Sequence, residues 1–320
     1  SPFPHLDYKD ALRRYGSDKP DLRFGMELHD VTPVFEPASA ALNIEGHLQA
    51  VVAPGAAAFS RKQLDELAAF AKSAGARGIY TAKVTAEGIT SPLERNLGAD
   101  RLRQLAGAVG AKPGDLIVSV AAKEQIAHGD TSLAVAGQIR LHLGEKLNLI
   151  DRSKWEFLWI TGFALFEWSD KDSRWVSAQH PFTGIVEEDL DKLETAPWEC
   201  RSKGYDLVLN GVELGSGSIR IHRQDVQERM FKSLGLSQEQ ARQRFGFFLD
   251  ALAYGTPPHG GIALGLDRVV TLLAGERSIR EVIAFPKTTA AQDLMADSPS
   301  EVPTEQLDEL GIKIKGPSQG

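Results

Sequence analysis

The chain has 320 residues, of which 42% are hydrophobic and 25% charged, with a formal charge of −7 and a single cysteine, Cys200. This length can bury a large core and predicts two domains; no apolar run is long enough to cross a membrane, and the acidic balance argues against a generally basic nucleic-acid surface. One cysteine excludes an internal disulfide and a cysteine-cluster zinc site, which fits a reducing cytoplasm.

In chain order, Asp7 is placed to cap a short helix over residues 8–14, stopped by Gly16. YGSDKPDLRFGMEL follows at 15–28. Its polar part is a loop, because Pro20 bars a helix through it. Asp21 and Arg23 are either site residues or an ordinary solvated pair. From about Phe35 the sequence turns Ala- and Gly-rich. Residues 48–53 read as a strand, and Ser60 with Gln63 forms a capping box that opens a helix to about Ser73. Residues 78–84 predict a strand, 99–109 a helix and 115–122 a strand between Gly114 and Lys123. This alternation predicts a small α/β module with its own core. It holds no convergent cluster of His, Cys, Asp or Glu, so it is assigned no chemistry.

Residues 133–147 predict an amphipathic helix capped by Asp130 or Thr131. WEFLWITGFALFEW, 155–168, predicts a fully buried strand with which the main sheet resumes. His180 stands in a loop before Pro181, either as a ligand contact or as a structural histidine.

YDLVLNGVELGSGSIRIH, 205–222, is the stretch with the most chemistry. Asn210-Gly211 between two apolar runs predicts a β-hairpin with a type I′ turn. That turn sets Leu209 against Val212 and Val208 against Glu213. Asp206 then shares a face with Glu213, at a diagonal spacing of roughly 7–8 Å. Two carboxylates on one face either hold a Mg²⁺ shared with a polyphosphate or simply face water. By strict alternation Arg220 points away from Glu213. One bulged residue, of the kind that glycines such as Gly215 and Gly217 mark, turns it to the same face, where a guanidinium takes a carboxylate in bidentate fashion.

Residues 224–234 predict a helix ended by Gly235, and Ser237 with Gln240 a second capping box leading to about Tyr254. GTPPHGG, 255–261, is a rigid-then-flexible loop. A glycine-rich strand then feeds a helix from about Leu266 to Ala274, with Gly275 as its C-cap. Such a junction lets backbone approach a nucleotide. Arg268 lies in the first helical turn, where the macrodipole disfavours a cation. It is either held there for an anion or an aromatic base, or snorkels off a packing helix. No P-loop lysine pattern occurs. Residues 283–286 predict a short strand, and the polar tail a weak helix near 304–310.

YGSDKPDLRF, QHPFT, DLVLNGVELGSGSIRIH, FGFFLDALAYGTPPHGGIALGLDR and IREVIAFPK, in this order, resemble the bacterial-type aspartyl-tRNA synthetases of class II. The resemblance covers nearly the whole chain. It implies an α+β fold: a class II antiparallel sheet flanked by helices, incomplete here, with an inserted α/β GAD domain. On that basis residues 1–34 and 134–320 are parts of the catalytic domain and residues 35–133 the insertion. It implies ATP-dependent activation of L-aspartate to aspartyl-AMP and transfer to the 3′ end of tRNA. The implied partners are aspartate, ATP, Mg²⁺ and tRNA(Asp), with tRNA(Asn) left open, and a homodimer in the complete enzyme.

The resemblance also implies roles. Glu213 matches the ATP- and magnesium-linked glutamate and Asp206 its acidic neighbour. Arg220 matches the arginine that reads the aspartate side chain, with Gln179 and His180 beside it. Gly265, Leu266, Asp267 and Arg268 match the motif 3 segment, whose arginine lies against ATP. A fixed guanidinium favours aspartate over asparagine, whose NH₂ leaves charge unpaired. Three positions depart from the pattern: Gln179 stands for a histidine, Gly162-Phe163-Ala164 for Asp-Phe-Pro, and Ser216 for a glycine. Motifs 1 and 2 and an anticodon-binding barrel are expected upstream of Ser1, so the chain reads as a C-terminal part. These residues alone are expected to form no adenylate, which aspartate-dependent ATP–pyrophosphate exchange by the chain would contradict. The rival reading is a non-catalytic paralogue that binds amino acid or nucleotide.

Overall fold

The structure, a computed structural model, describes residues 2–42, 44, 46–122 and 131–314. The strands are β1 (His5–Asp7), β2 (His29–Asp30), β3 (Leu48–Ala53), β4 (Ala76–Thr85), β5 (Gly88–Thr90), β6 (Leu116–Ala122), β7 (Phe157–Thr161), β8 (Phe166–Ser169), β9 (Arg174–Ser177), β10 (Gly204–Leu209), β11 (Val212–Ile219) and β12 (Gly260–Leu264). The helices are α1 (Tyr8–Tyr15), α2 (Thr32–Phe35), α3 (Ser39–Leu42), α4 (Arg61–Ser73), α5 (Glu94–Ala108), α6 (Thr131–Lys146), α7 (Gln224–Ser233), α8 (Gln238–Ala253), α9 (Leu266–Leu273) and α10 (Thr304–Glu309). Residues up to Leu264 form one compact unit and those from Gly265 a second.

The capping signals act as their chemistry requires. Asp7 accepts from the Lys9 amide at 2.9 Å and opens α1, which closes at Gly16 in the left-handed region. Both serine–glutamine boxes form, at Ser60 for α4 and at Ser237 for α8. Of the two residues expected to cap α6, Thr131 is its first helical residue and Asp130 lies outside the described residues, as does Lys123 after β6.

Two five-stranded sheets carry the first unit. One has the order β2-β3-β6-β4-β5, and all its pairings are antiparallel. β3 and β4 flank β6 and so run parallel to each other, a split β-α-β arrangement with α4 as the crossover. β6 is buried along its whole length because both faces are covered. Leu116, Val118 and Val120 pack with α4 and α6, while Ile117 and Ala121 pack with α2 and α5. The sheet therefore takes an edge strand from before Phe35 and a covering helix that runs past residue 133.

The other sheet has the order β1-β7-β10-β11-β12 and is antiparallel except for the β1–β7 pair. α1 packs on it through Ala11, against Leu158, Ile160 and Val208. α7 and α8 pack through Phe231, Leu249 and Leu252 against Phe182.

Two expected strands differ. The aromatic run 155–168 is not one buried strand. It breaks at Gly162, where φ is +75°, so that β7 joins the main sheet and β8 pairs with β9 in a separate hairpin. Trp155 and Trp168 are exposed at the two ends of the run. In the second unit, residues 283–286 form bends rather than a strand, with Phe285 at φ 54°. There α9 is followed by Gly275 at φ 71°, and α10 begins at Thr304.

Candidate functional site

The site is built on β10 and β11. Asn210 and Gly211 both take positive φ, 52° and 86°, as a type I′ turn demands. Leu209 faces Val212 and Val208 faces Glu213, as the turn predicts. The register then slips: Leu207 pairs with Gly215, so Leu214 is an extra, bulged residue. Beyond it Asp206 faces Ser216 and Gly204 faces Ser218, and Arg220 follows two residues on. Glu213, Ser216, Ser218 and Arg220 thus share one face of β11, with Gly204, Asp206 and Val208 opposite. At about 3.4 Å per residue this row spans roughly 20 Å. The bulge that the alternation required for Arg220 is present.

Gln179 lies over Gly204. A Cβ at residue 204 would stand 3.0 Å from both amide atoms of Gln179, so the glycine makes room for it. Nothing in the sequence pattern singled out Gly204; only the register shows that it underlies Gln179. His180 next to it meets Arg220, with the guanidinium Nη1 donating to Nδ1 at 3.3 Å. The Phe182 amide donates to the same nitrogen at 3.2 Å. Two N–H donors on Nδ1 leave the proton of the ring on Nε2. Burial, with the Arg220 charge, lowers the His180 pKa and keeps it neutral. His180 and Arg220 line a cavity of about 390 Å³ with Phe182, Phe248, His259 and Gly261. That is ample for an amino acid.

Asp206 is 9% exposed, and burial raises its pKa. A hydrogen bond from Ser216 opposes this, while Glu213 and Asp18 add to it. Its Oδ1 and the Ser218 hydroxyl are buried without a hydrogen-bond partner. An ion or a water bound there would satisfy both atoms. Among the described residues, no three His, Cys, Asp or Glu side chains form a ready metal cage. The pair Asp206 and Glu213 suits Mg²⁺, which takes one or two carboxylates and completes its shell with phosphate oxygens and water.

The three departures have structural counterparts. Gln179 occupies the notch over Gly204, and Ser216 holds Asp206. At Gly162 a Cβ would lie 2.2 Å from Asp7 Oδ2, so the carboxylate that caps α1 fills the space of a side chain there. Gly265, Leu266, Asp267 and Arg268 belong to the second unit. There Gly265 precedes α9 and Arg268 stands in its first turn, with the Thr271 hydroxyl donating to the Asp267 carbonyl at 2.6 Å. Among the described residues, no helix is long and apolar enough to cross a membrane.

Residues 1–289 match the family described as tRNA synthetases class II (D, K and N). The chain belongs to this family. An aspartate–tRNA(Asp/Asn) ligase of Bacillus mycoides is 47% identical over 98% of the chain and 53% of the relative, and one of Bacillus thuringiensis matches to the same extent. The chain spans about half the length of the curated relatives it matches. Among solved structures, an aspartyl-tRNA synthetase from Entamoeba histolytica aligns with 49% of the chain and 26% of its own at 20% identity, with a TM-score of 0.33. In this chain the antiparallel strands β7-β10-β11-β12 carry Asp206 and Glu213, and Arg220 follows directly after β11.

Proposed function

We propose that the chain supplies the amino-acid and magnesium side of an aspartate-activating site in an aspartate–tRNA ligase. The observation that carries this is the single row Arg220–Asp206–Glu213 on one sheet face, in a chain with ligase relatives at 47% identity. Arg220, steadied by neutral His180, receives the side-chain carboxylate of aspartate. Asp206 and Glu213 would hold Mg²⁺, which would neutralise the phosphates of ATP. Arg268, with Gly265, Leu266 and Asp267, is assigned to the nucleotide on the motif 3 resemblance alone. The α-carboxylate of aspartate is already charged, so its attack on the α-phosphate needs no strong base. It displaces pyrophosphate and gives aspartyl-AMP, and the aspartyl group then passes to the terminal ribose of tRNA. Catalysis is by positioning and charge neutralisation. The same reading covers tRNA(Asp), tRNA(Asn) as an alternative acceptor, a homodimer of the complete enzyme, and the cytoplasm as its place of work.

Titration calorimetry with aspartate and asparagine tests this. The chain should bind aspartate in preference. Arg220→Met should lose about ten- to a hundredfold in aspartate affinity, the worth of one charged hydrogen-bonding partner. Equal binding of the two amino acids by the parent chain would sink the role of Arg220.

A further inference from the structure

α6 is a wall with two working sides. On one side Val135, Ala136, Ile139 and Leu143 close the core of the β2-β3-β6-β4-β5 sheet. On the other, Gly137, Arg140 and Gly144 form one stripe, at the spacing a helix puts on a single face. Both glycines are contact points. A Cβ on Gly137 would lie 2.5 Å from the Gly16 carbonyl oxygen, and one on Gly144 2.6 Å from the Phe24 ring.

Between them Arg140 is 2% exposed. Its Nε donates to the Met26 carbonyl at 3.0 Å. Its Nη2 meets the carbonyls of Asp21, Phe24 and Gly25 at 2.9, 3.1 and 3.0 Å. The guanidinium carbon sits 4.1 Å from the Phe24 ring centroid and 4.9 Å from that of Tyr15. Burial lowers its pKa to about 10, opposed by Tyr15, Asp21 and Glu27, so it is charged at neutral pH. One planar fork thus fixes the carbonyls of a whole turn and stacks on two rings. A lysine ammonium does neither. The turn needs fixing: Met26 sits at φ 67°, a region a side-chain-bearing residue rarely takes.

The segment so held leads to the acidic hairpin. Asp21 packs against the turn, where a Cβ on Gly211 would be 3.3 Å from its own Cβ. Leu22 packs on the core that contains Val208. The charges of Asp18 and Lys19 reach Asp206.

We propose that Arg140 is a positioning residue of the site: from the helix that closes the inserted module it holds residues 17–26 against the hairpin bearing Asp206 and Glu213. This rests on the activation reading above. It gives the module a mechanical hold on the site through α6.

The test compares the 320-residue chain with Arg140→Lys and Phe24→Leu, by amide hydrogen exchange and by calorimetric titration with magnesium–ATP. In Arg140→Lys, exchange over residues 17–28 should quicken about tenfold while β3 and β6 keep their protection. Affinity for magnesium–ATP, measured well below Tm, should fall about tenfold. A merely structural arginine would lower Tm and leave that affinity alone. Phe24→Leu keeps the charge and removes one ring. It should shift both readouts the same way by less, and it replaces Arg140→Lys if that variant does not fold. Unchanged exchange over 17–28, or faster exchange with unchanged affinity, overturns the proposal. A parent chain that binds no magnesium–ATP overturns the activation reading and the proposal with it. Parent binding with an indifferent Arg140→Lys overturns the role of Arg140 alone.

Discussion

Asp206 sets use against stability. Its carboxyl is buried, so its charged form lacks water, and the Ser216 hydroxyl and the Lys19 charge offset only part of the loss. The folded-state pKa lies above the ordinary 3.8. A carboxyl raised on folding holds its proton more tightly in the folded chain. The stability this gives is therefore lost as pH rises from the unfolded value through the folded one. Near pH 7 the ionised group is a net cost, and at about pH 3 it is none. Asp206→Asn should accordingly melt higher than the parent near pH 7 and no higher near pH 3, as calorimetric scans at the two pH values would show. The same variant should lose magnesium–ATP binding, since an amide is a poor magnesium ligand. A lower melting point near pH 7 would mean that Asp206 is paired rather than stranded. Cys200 shows the opposite outcome of burial. Its thiol is pushed up to about 11 and packs in the core with Leu165 and Ile185, donating to the Asp189 and Ala196 carbonyls at 3.6 and 3.7 Å, so it stays protonated at neutral pH without cost.

At the scale of elements, the hairpin turn does most of the ordering. Gly211 takes φ 86° and its Cα faces Asp21, so Gly211→Ala meets both backbone strain and a contact. The expected loss is above about 1 kcal/mol in urea unfolding. A loss within a few tenths of a kcal/mol would mean that the turn is not what fixes the register. That register was legible in the sequence because type I′ turns have a narrow residue requirement and a fixed pairing. The bulge was legible as a need, from Arg220, but not as a place. Gly215 and Gly217 pointed near it, whereas the extra residue is Leu214, a side chain that buries on the bulged strand. The run 155–168 misled because hydrophobicity alone does not report chain direction. The break comes from Gly162 and from the Asp7 carboxylate against it, more than 150 residues away in sequence. Arg140 was not legible at all. Its partners are carbonyls some 114 to 119 positions upstream, and a backbone carbonyl has no residue type to read.

For the whole molecule, the decisive feature is the edge at β12. β11 pairs with it on one side, and it ends the sheet order, so its outer backbone groups have no strand partner within the sheet. All five of its residues are exposed, with Ile262 at 44% and Leu264 at 58%. Phe247 and Tyr254 in the region before it are exposed at 82% and 94%. An exposed apolar edge of this kind invites another strand. Soluble proteins blunt such edges with charge or proline, and GGIAL offers neither. The 320-residue chain alone should therefore associate with itself as concentration rises, through this edge. Sedimentation velocity across a hundredfold dilution would show it as a falling sedimentation coefficient. Leu264→Glu places a charge on the edge and should hold the chain at the monomer value throughout. An unchanged coefficient on dilution of the parent, or association that Leu264→Glu leaves intact, would show that some other surface does the joining.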